Sequence, residues 1–148
     1  MQQPGAKPAP SSFKNEVVVV VEDSQANTAA ISGLLKRLAF DVVDFPDGAQ
    51  AWDWLKALPA TEAAKIKVVF CDVAMPKMNG LELLKLVRAS RHLKLVRFVF
   101  CSAVIDPPVV REARSLASDG YIVKPIMPSV LQKKLDELFP GRKANRPA

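Results

Sequence analysis

The sequence predicts an α/β protein built on a doubly wound, five-stranded parallel sheet with five helices. Three observations lead there. Short apolar runs alternate with stretches of helical periodicity from residue 16 to residue 139. Such strand–helix alternation makes a parallel sheet covered by helices on both faces. The strand runs are apolar throughout rather than at every second position, as expected of strands buried on both faces. The chain has 148 residues, well short of the roughly 250 that an eight-fold barrel needs.

The elements follow in order. Val17 to Val21 is a run of five β-branched residues and reads as the first strand. Ile31, Leu34, Leu35 and Leu38 lie at i, i+3, i+4 and i+7 and mark one helix face, with Ser24 as its N-cap. Val42 to Phe45 is a short strand stopped by Pro46-Asp47-Gly48, and Trp52, Leu55 and Leu58 mark the second helix. Lys67 to Cys71 is the third strand; Asn79-Gly80 opens a helix over Leu81 to Ala89. Leu95 to Cys101 is the fourth strand, and Val109, Ala113, Leu116 and Ala117 mark the fourth helix. Tyr121 to Val123 is the fifth strand. Leu131, Leu135, Leu138 and Phe139 mark the fifth helix, ended by Pro140-Gly141.

Charge is unevenly spread. The net charge is +6, but residues 1–15 and 140–148 together hold five basic residues and no acidic one. The remainder carries 16 basic against 15 acidic residues and is nearly neutral. The first segment, with Pro4, Pro8 and Pro10, reads as a disordered arm, and the last as a basic tail. Nucleic-acid binding through these tails is the weaker reading, because no interleaved aromatics or recognition helix accompany them. No stretch approaches the ~20 apolar residues of a membrane span, so no membrane contact is expected. The amino terminus has no apolar signal-peptide core, and two cysteines make no disulfide framework; a cytoplasmic location is expected.

Open parallel sheets carry their sites at the carboxyl ends of the strands. Four of the five strands deliver a polar group there: Glu22 and Asp23, then Asp72, Ser102 and Lys124. Each alone has a plain explanation as a cap, a turn residue or a solvated charge. Together they converge on one edge. Three neighbouring carboxylates repel by about 4 kcal/mol per pair at 4 Å and an effective dielectric of 20, so positive charge belongs among them. Lys124 supplies one, and a hard divalent cation such as Mg²⁺ supplies two. One carboxylate is then available as a nucleophile toward phosphorus, with Ser102 and Lys124 for the phosphoryl oxygens.

The segments VVVVVEDS, VVFCDVAMPKMNG, FVFCSA and YIVKP, in this order, resemble the receiver domain of bacterial two-component response regulators over residues 16–139. The resemblance implies a flavodoxin-like fold with strand order 2-1-3-4-5. It implies that Asp72 accepts the phosphoryl group. Glu22, Asp23, Asp72 and the backbone carbonyl of Ala74 would hold Mg²⁺, with Glu22 acting through water. Ser102 and Lys124 would bind the phosphoryl group, Tyr121 would be the aromatic switch, and the Lys124–Pro125 peptide bond would be cis. Glu22, Asn79, Ser102 and Ala117 depart from the commoner residues of the family without removing a group the chemistry needs.

The implied function is that of a stand-alone response regulator: a signalling phosphoprotein rather than an enzyme with a separate substrate. Its partners would be a histidine kinase or histidine phosphotransfer protein and a downstream protein bound by the fourth helix, fifth strand and fifth helix. It would be a monomer or weak dimer. A phosphorelay intermediate or phosphate sink is the alternative, and a phosphorylation-independent interaction module is the rival of another class. The residues flanking the approach of water would be Ala74 and Val104, neither able to orient it, with Asn27 the nearest polar candidate. Cys71 and Cys101 read as buried, inert thiols rather than a redox couple. Trp52, Trp54 and the lone His92 carry no expected role.

Overall fold

The computed structural model describes residue 7, residues 15–103 and residues 105–141. Of the expected arm only Lys7 and Asn15, and of the expected tail only Pro140 and Gly141, fall within them; Val104 lies outside. The order is β1 (Val17–Val21), α1 (Gln25–Arg37), β2 (Asp41–Phe45), α2 (Gly48–Lys56), α3 (Ala60–Ala63), β3 (Ile66–Asp72), α4 (Gly80–Ala89), β4 (Arg97–Ser102), α5 (Pro107–Ser115), β5 (Gly120–Val123) and α6 (Pro128–Leu138). All four strand pairings are parallel, in the order β2-β1-β3-β4-β5. Among the described residues no helix is long and apolar enough to cross a membrane.

Among the described residues there are six helices, not five. The additional element is α3, a single turn of four residues begun by Pro59. One turn cannot display a 3.6-residue repeat, so periodicity could not reveal it. The fourth and fifth helices expected from the sequence are therefore α5 and α6. The fourth strand also starts later than expected, at Arg97 rather than Leu95, and Leu95 is 85% exposed.

The five valines of β1 are 0–1% exposed because the strand is central and covered twice. Val17, Val19 and Val21 enter a core with Leu55 of α2, Leu83 and Leu84 of α4 and Ala113 of α5. Val18 and Val20 enter a second core with Ile31 and Leu35 of α1 and Leu131 and Leu135 of α6. Each fully buried valine contributes up to about 1.5–3 kcal/mol. This is why the run does not alternate with polar residues: neither face meets water.

Helix ends are fixed by local chemistry. Ser24 and Asp47 accept from the backbone N–H groups of Asn27 and Gln50. Asn79 and Glu82 form a reciprocal capping box at α4. The ends of α1 and α5 are closed alike. Phe40 N–H donates to Leu35 O and Ala39 N–H to Lys36 O; Ser118 N–H donates to Ala113 O and Ala117 N–H to Arg114 O. These are Schellman motifs. Their left-handed positions are held by alanine, with φ 70° at Ala39 and 64° at Ala117.

Arg88 of α4 ties down the amino-terminal edge of the sheet. It donates to the carbonyls of Lys94 (3.0 Å), Val96 (2.6 Å) and Ala117 (2.9 Å) and to Asp119 (3.1 Å). Asp119 also accepts from Phe98 N–H at 2.8 Å. With the Lys94 and Val96 carbonyls held by Arg88, residues 94–96 remain a turn, which delays the start of β4.

Candidate functional site

The strand order reverses at β1: the chain crosses to β2 on one side and to β3 on the other. The crevice lies at the carboxyl ends of these strands. Glu22 leaves β1 directly and its N–H donates to Phe45 O at 3.0 Å, holding the strand end in register. Asp72 is the last residue of β3 and Ser102 the last of β4. Lys124 follows β5, its N–H donating to Ser102 O at 2.7 Å, and its peptide bond to Pro125 is cis.

Three carboxylates meet here. Glu22, Asp23 and Asp72 each place an oxygen within 4.8 Å of the others. Glu22 is 4% and Asp72 8% exposed, whereas Asp23 is open to solvent. The Lys124 ammonium reaches between the two buried ones, 2.5 Å from Glu22 Oε2 and 2.9 Å from Asp72 Oδ2. Ser24 N–H donates to Glu22 Oε1 (3.1 Å) and Ala74 N–H to Asp72 Oδ1 (3.3 Å). Burial raises the pKa of Glu22, and hydrogen bonds from Lys124 and Ser24 N–H pull against it without cancelling it. Burial pulls Lys124 down, but its bonds to Glu22 and Asp72 more than reverse this and its pKa ends above normal.

One ammonium therefore faces three carboxylates. The donors are hard oxygens gathered within 4.8 Å of one another, and the charge imbalance favours a divalent cation; the residue types fit Mg²⁺.

Of the residues singled out in the sequence, the structure joins Glu22, Asp23, Asp72 and Lys124 directly. Ser102 sits beside them: Asp72 pairs in register with Cys101, one residue earlier. Tyr121 is half-buried, its ring against Phe100 at a centroid distance of 6.2 Å.

Cys71 and Cys101 occupy adjacent strands but opposite faces, Cys71 in the core under α4 and Cys101 in the core under α6. They cannot form a couple. Burial raises the Cys71 thiol well above its ordinary pKa and pushes Cys101 up to about 12.

Two supports were not read from the sequence. Gly80 packs so closely that a Cβ would lie 2.4 Å from Asp72 O and 2.7 Å from Phe100 Cε1. The Asn79-Gly80 pair signalled only a helix start. The buried Asp47 caps α2 and also faces Lys77 at 3.7 Å, and a Cβ on Gly48 would lie 2.6 Å from Met78 O. The start of α2 thus braces the loop after Asp72. Pro46-Asp47-Gly48 had signalled only a turn, since the contact spans about 30 residues of chain.

Comparison with known proteins identifies the family. The family model for the response regulator receiver domain matches residues 18–136. A chemotaxis protein CheY homolog of Campylobacter jejuni is 35% identical over 123 residues, covering 82% of this chain and 91% of its own. Chemotaxis protein CheY1 of Helicobacter pylori is 36% identical over 120 residues, covering 80% and 93%. The structure of chemotaxis response regulator CheY4 of Vibrio cholerae superposes with a TM-score of 0.74 at 26% identity, covering 84% and 99%. A CheY-like receiver domain protein from Methanospirillum hungatei shares the fold, with a TM-score of 0.76 at 17% identity over 88% of this chain and 98% of its own. Fold, carboxylate edge and sequence similarity agree: the chain belongs to the response regulator receiver domain family.

Proposed function

We propose that the protein is a stand-alone response regulator that accepts a phosphoryl group on Asp72, and that phosphorylation governs its binding to other proteins. The observation that carries this reading is the carboxylate cluster at the β1/β3 crevice, with Lys124 spanning Glu22 and Asp72. Asp23, Asp72 and the Ala74 carbonyl, with Glu22 through water, would hold Mg²⁺. When bound, the cation offsets the charge of the carboxylates and of the incoming phosphoryl oxygens.

The chain's residues then divide the work. An Asp72 carboxylate oxygen attacks phosphorus, forming an oxygen–phosphorus bond while the donor's leaving group departs with the electrons of the broken bond. The donor is a phosphohistidine of a kinase or phosphotransfer protein, or a small acyl phosphate. Lys124 exchanges a carboxylate oxygen for a phosphoryl oxygen, and Ser102 donates its hydroxyl to another. Movement of Ser102 toward the phosphoryl group vacates space for Tyr121 to turn inward. That changes the face made by α5, β5 and α6, where the downstream partner binds. Water attack on phosphorus with Asp72 leaving restores the resting carboxylate. The protein catalyses only its own phosphoryl transfer and release, and acts in the cytoplasm.

The test is incubation with acetyl phosphate and Mg²⁺, read by intact mass. One phosphate is expected on the wild type and none on Asp72→Asn or in excess EDTA. A full adduct on Asp72→Asn refutes the assignment.

A further inference from the structure

The site occupies the carboxyl-terminal edge of the sheet. At the other edge lies a second concavity of about 360 Å³. Its floor and walls are apolar, from Ala63 of α3, Ile66 at the start of β3, Val96, and Phe139 after α6. Its rim carries Lys67, His92 and Arg97, and Leu95 stands beside them 85% exposed. Ile66 and Asp72 are the two ends of β3, so the cleft and the site are about 20 Å apart at 3.3 Å per residue.

The turn that borders the cleft is basic. From Lys85 to Arg97 the sequence has five basic residues and no acidic one. Some of this charge is already answered: Lys67 pairs with Glu16 at 3.3 Å, Lys85 with Glu112 at 3.5 Å, and Arg88 and Arg97 with Asp119 at 3.1 Å. Arg91 and Lys94 are exposed and have no ion pair among the described residues; both lie in the turn that presents Leu95.

We infer that this cleft docks an acidic amphipathic peptide segment of a partner protein. Charge complementarity selects the acid, and the apolar walls with Leu95 select side chains that bury against them. A nucleic acid would use the cations and could stack a base on Phe139 or His92, but it would leave Leu95 and the apolar walls of Ala63, Ile66 and Val96 unmatched. The surface is remote from Asp72, so docking here is independent of phosphorylation. A receiver could then be held on one partner while its other edge is phosphorylated.

The probe is a fluorescein-labelled helical peptide with leucines at i, i+3, i+4 and i+7 and glutamates elsewhere, titrated with the full chain and read by anisotropy. Saturable binding that weakens with salt is expected. Leu95→Ser and the double variant Arg91→Glu/Lys94→Glu should each weaken it about tenfold, while Asp72→Asn binds like wild type. These side chains are exposed, and an unchanged melting temperature checks that the variants fold. The inference is overturned if the peptide does not bind, if the variants bind it as well as wild type, or if Asp72→Asn abolishes binding. It is also overturned if a DNA duplex of equal charge binds as tightly and Leu95→Ser leaves both affinities unchanged.

Discussion

Gly80→Ala should damage the protein, although alanine is the better helix former. Gly80 is the first residue of α4, where the chain turns back over the end of β3. An added Cβ would lie 2.4 Å from the Asp72 carbonyl oxygen, 2.7 Å from Phe100 Cε1 and 3.2 Å from Cys71 Sγ. Ordinary contact begins near 3.4 Å, so the helix and the strand end must separate by about 1 Å. Phe100 is fully buried and cannot swing away. Forced overpacking of this kind costs about 1–3 kcal/mol, and relief in the unfolded chain returns about 0.4–1 kcal/mol. The net loss should be about 1–2 kcal/mol, a fall of roughly 2–8 °C in Tm for a chain of this size. The control is Gly33→Ala. Gly33 lies inside α1, and a Cβ there meets nothing within 4 Å. That change should stabilise by up to about 1 kcal/mol. Thermal melts of the two variants beside wild type decide the matter. A Gly80→Ala protein as stable as wild type would show that close packing does not hold the strand end against α4.

Other consequences follow from the same geometry. Lys124→Met leaves two buried carboxylates without their cation, which should cost about 3–5 kcal/mol near neutral pH in EDTA. Glu22 already has a raised pKa from burial, and losing Lys124 raises it further. A carboxyl raised in the folded state favours folding while protonated, fully below its ordinary value of 4.5, and that contribution is lost as pH climbs through the folded value. The deficit of Lys124→Met against wild type should therefore be larger at about pH 8 than at about pH 5; equal deficits in urea melts would contradict this. Ala39→Gly should raise stability, because φ 70° strains alanine by about 1–2 kcal/mol and glycine returns part of that to the unfolded chain; a lower Tm would refute the cap assignment. Cys71 and Cys101 are 0% and 2% exposed, with thiols held protonated by burial. Labelling by a thiol reagent should proceed no faster than unfolding, and fast native labelling would count against it.

The central architecture was legible because it rests on local composition. Val17 to Val21 could be placed as a doubly covered strand from its unbroken apolar run, and Asp72 and Lys124 as edge residues from their place directly after such runs. Strand order, and the choice of Asp72 as the acceptor among the three carboxylates, came from the family resemblance rather than from periodicity. What escaped the sequence depends on contacts between distant segments. The Arg88 guanidinium gathers carbonyls from residues 94, 96 and 117 and the Asp119 carboxylate, and nothing near Arg88 in the chain announces this. The late start of β4 and the exposure of Leu95 follow from it. Gly80 looked like a turn residue because its neighbours across space, Asp72 and Phe100, are invisible in its local sequence. The opposite orientations of Cys71 and Cys101 needed the strand register: Asp72, not Cys71, stands opposite Cys101.

The most direct test of the account is to locate the phosphoryl group by its chemistry. Acetyl phosphate and Mg²⁺ are added to the full chain, and the product is reduced at once with borohydride, which converts an aspartyl phosphate to homoserine. Peptide mass spectrometry then reads the position. Homoserine is expected at position 72 and at no other aspartate, lost when EDTA replaces Mg²⁺. Homoserine at Asp23 in place of Asp72, or none at all beside an intact-mass adduct, would contradict it.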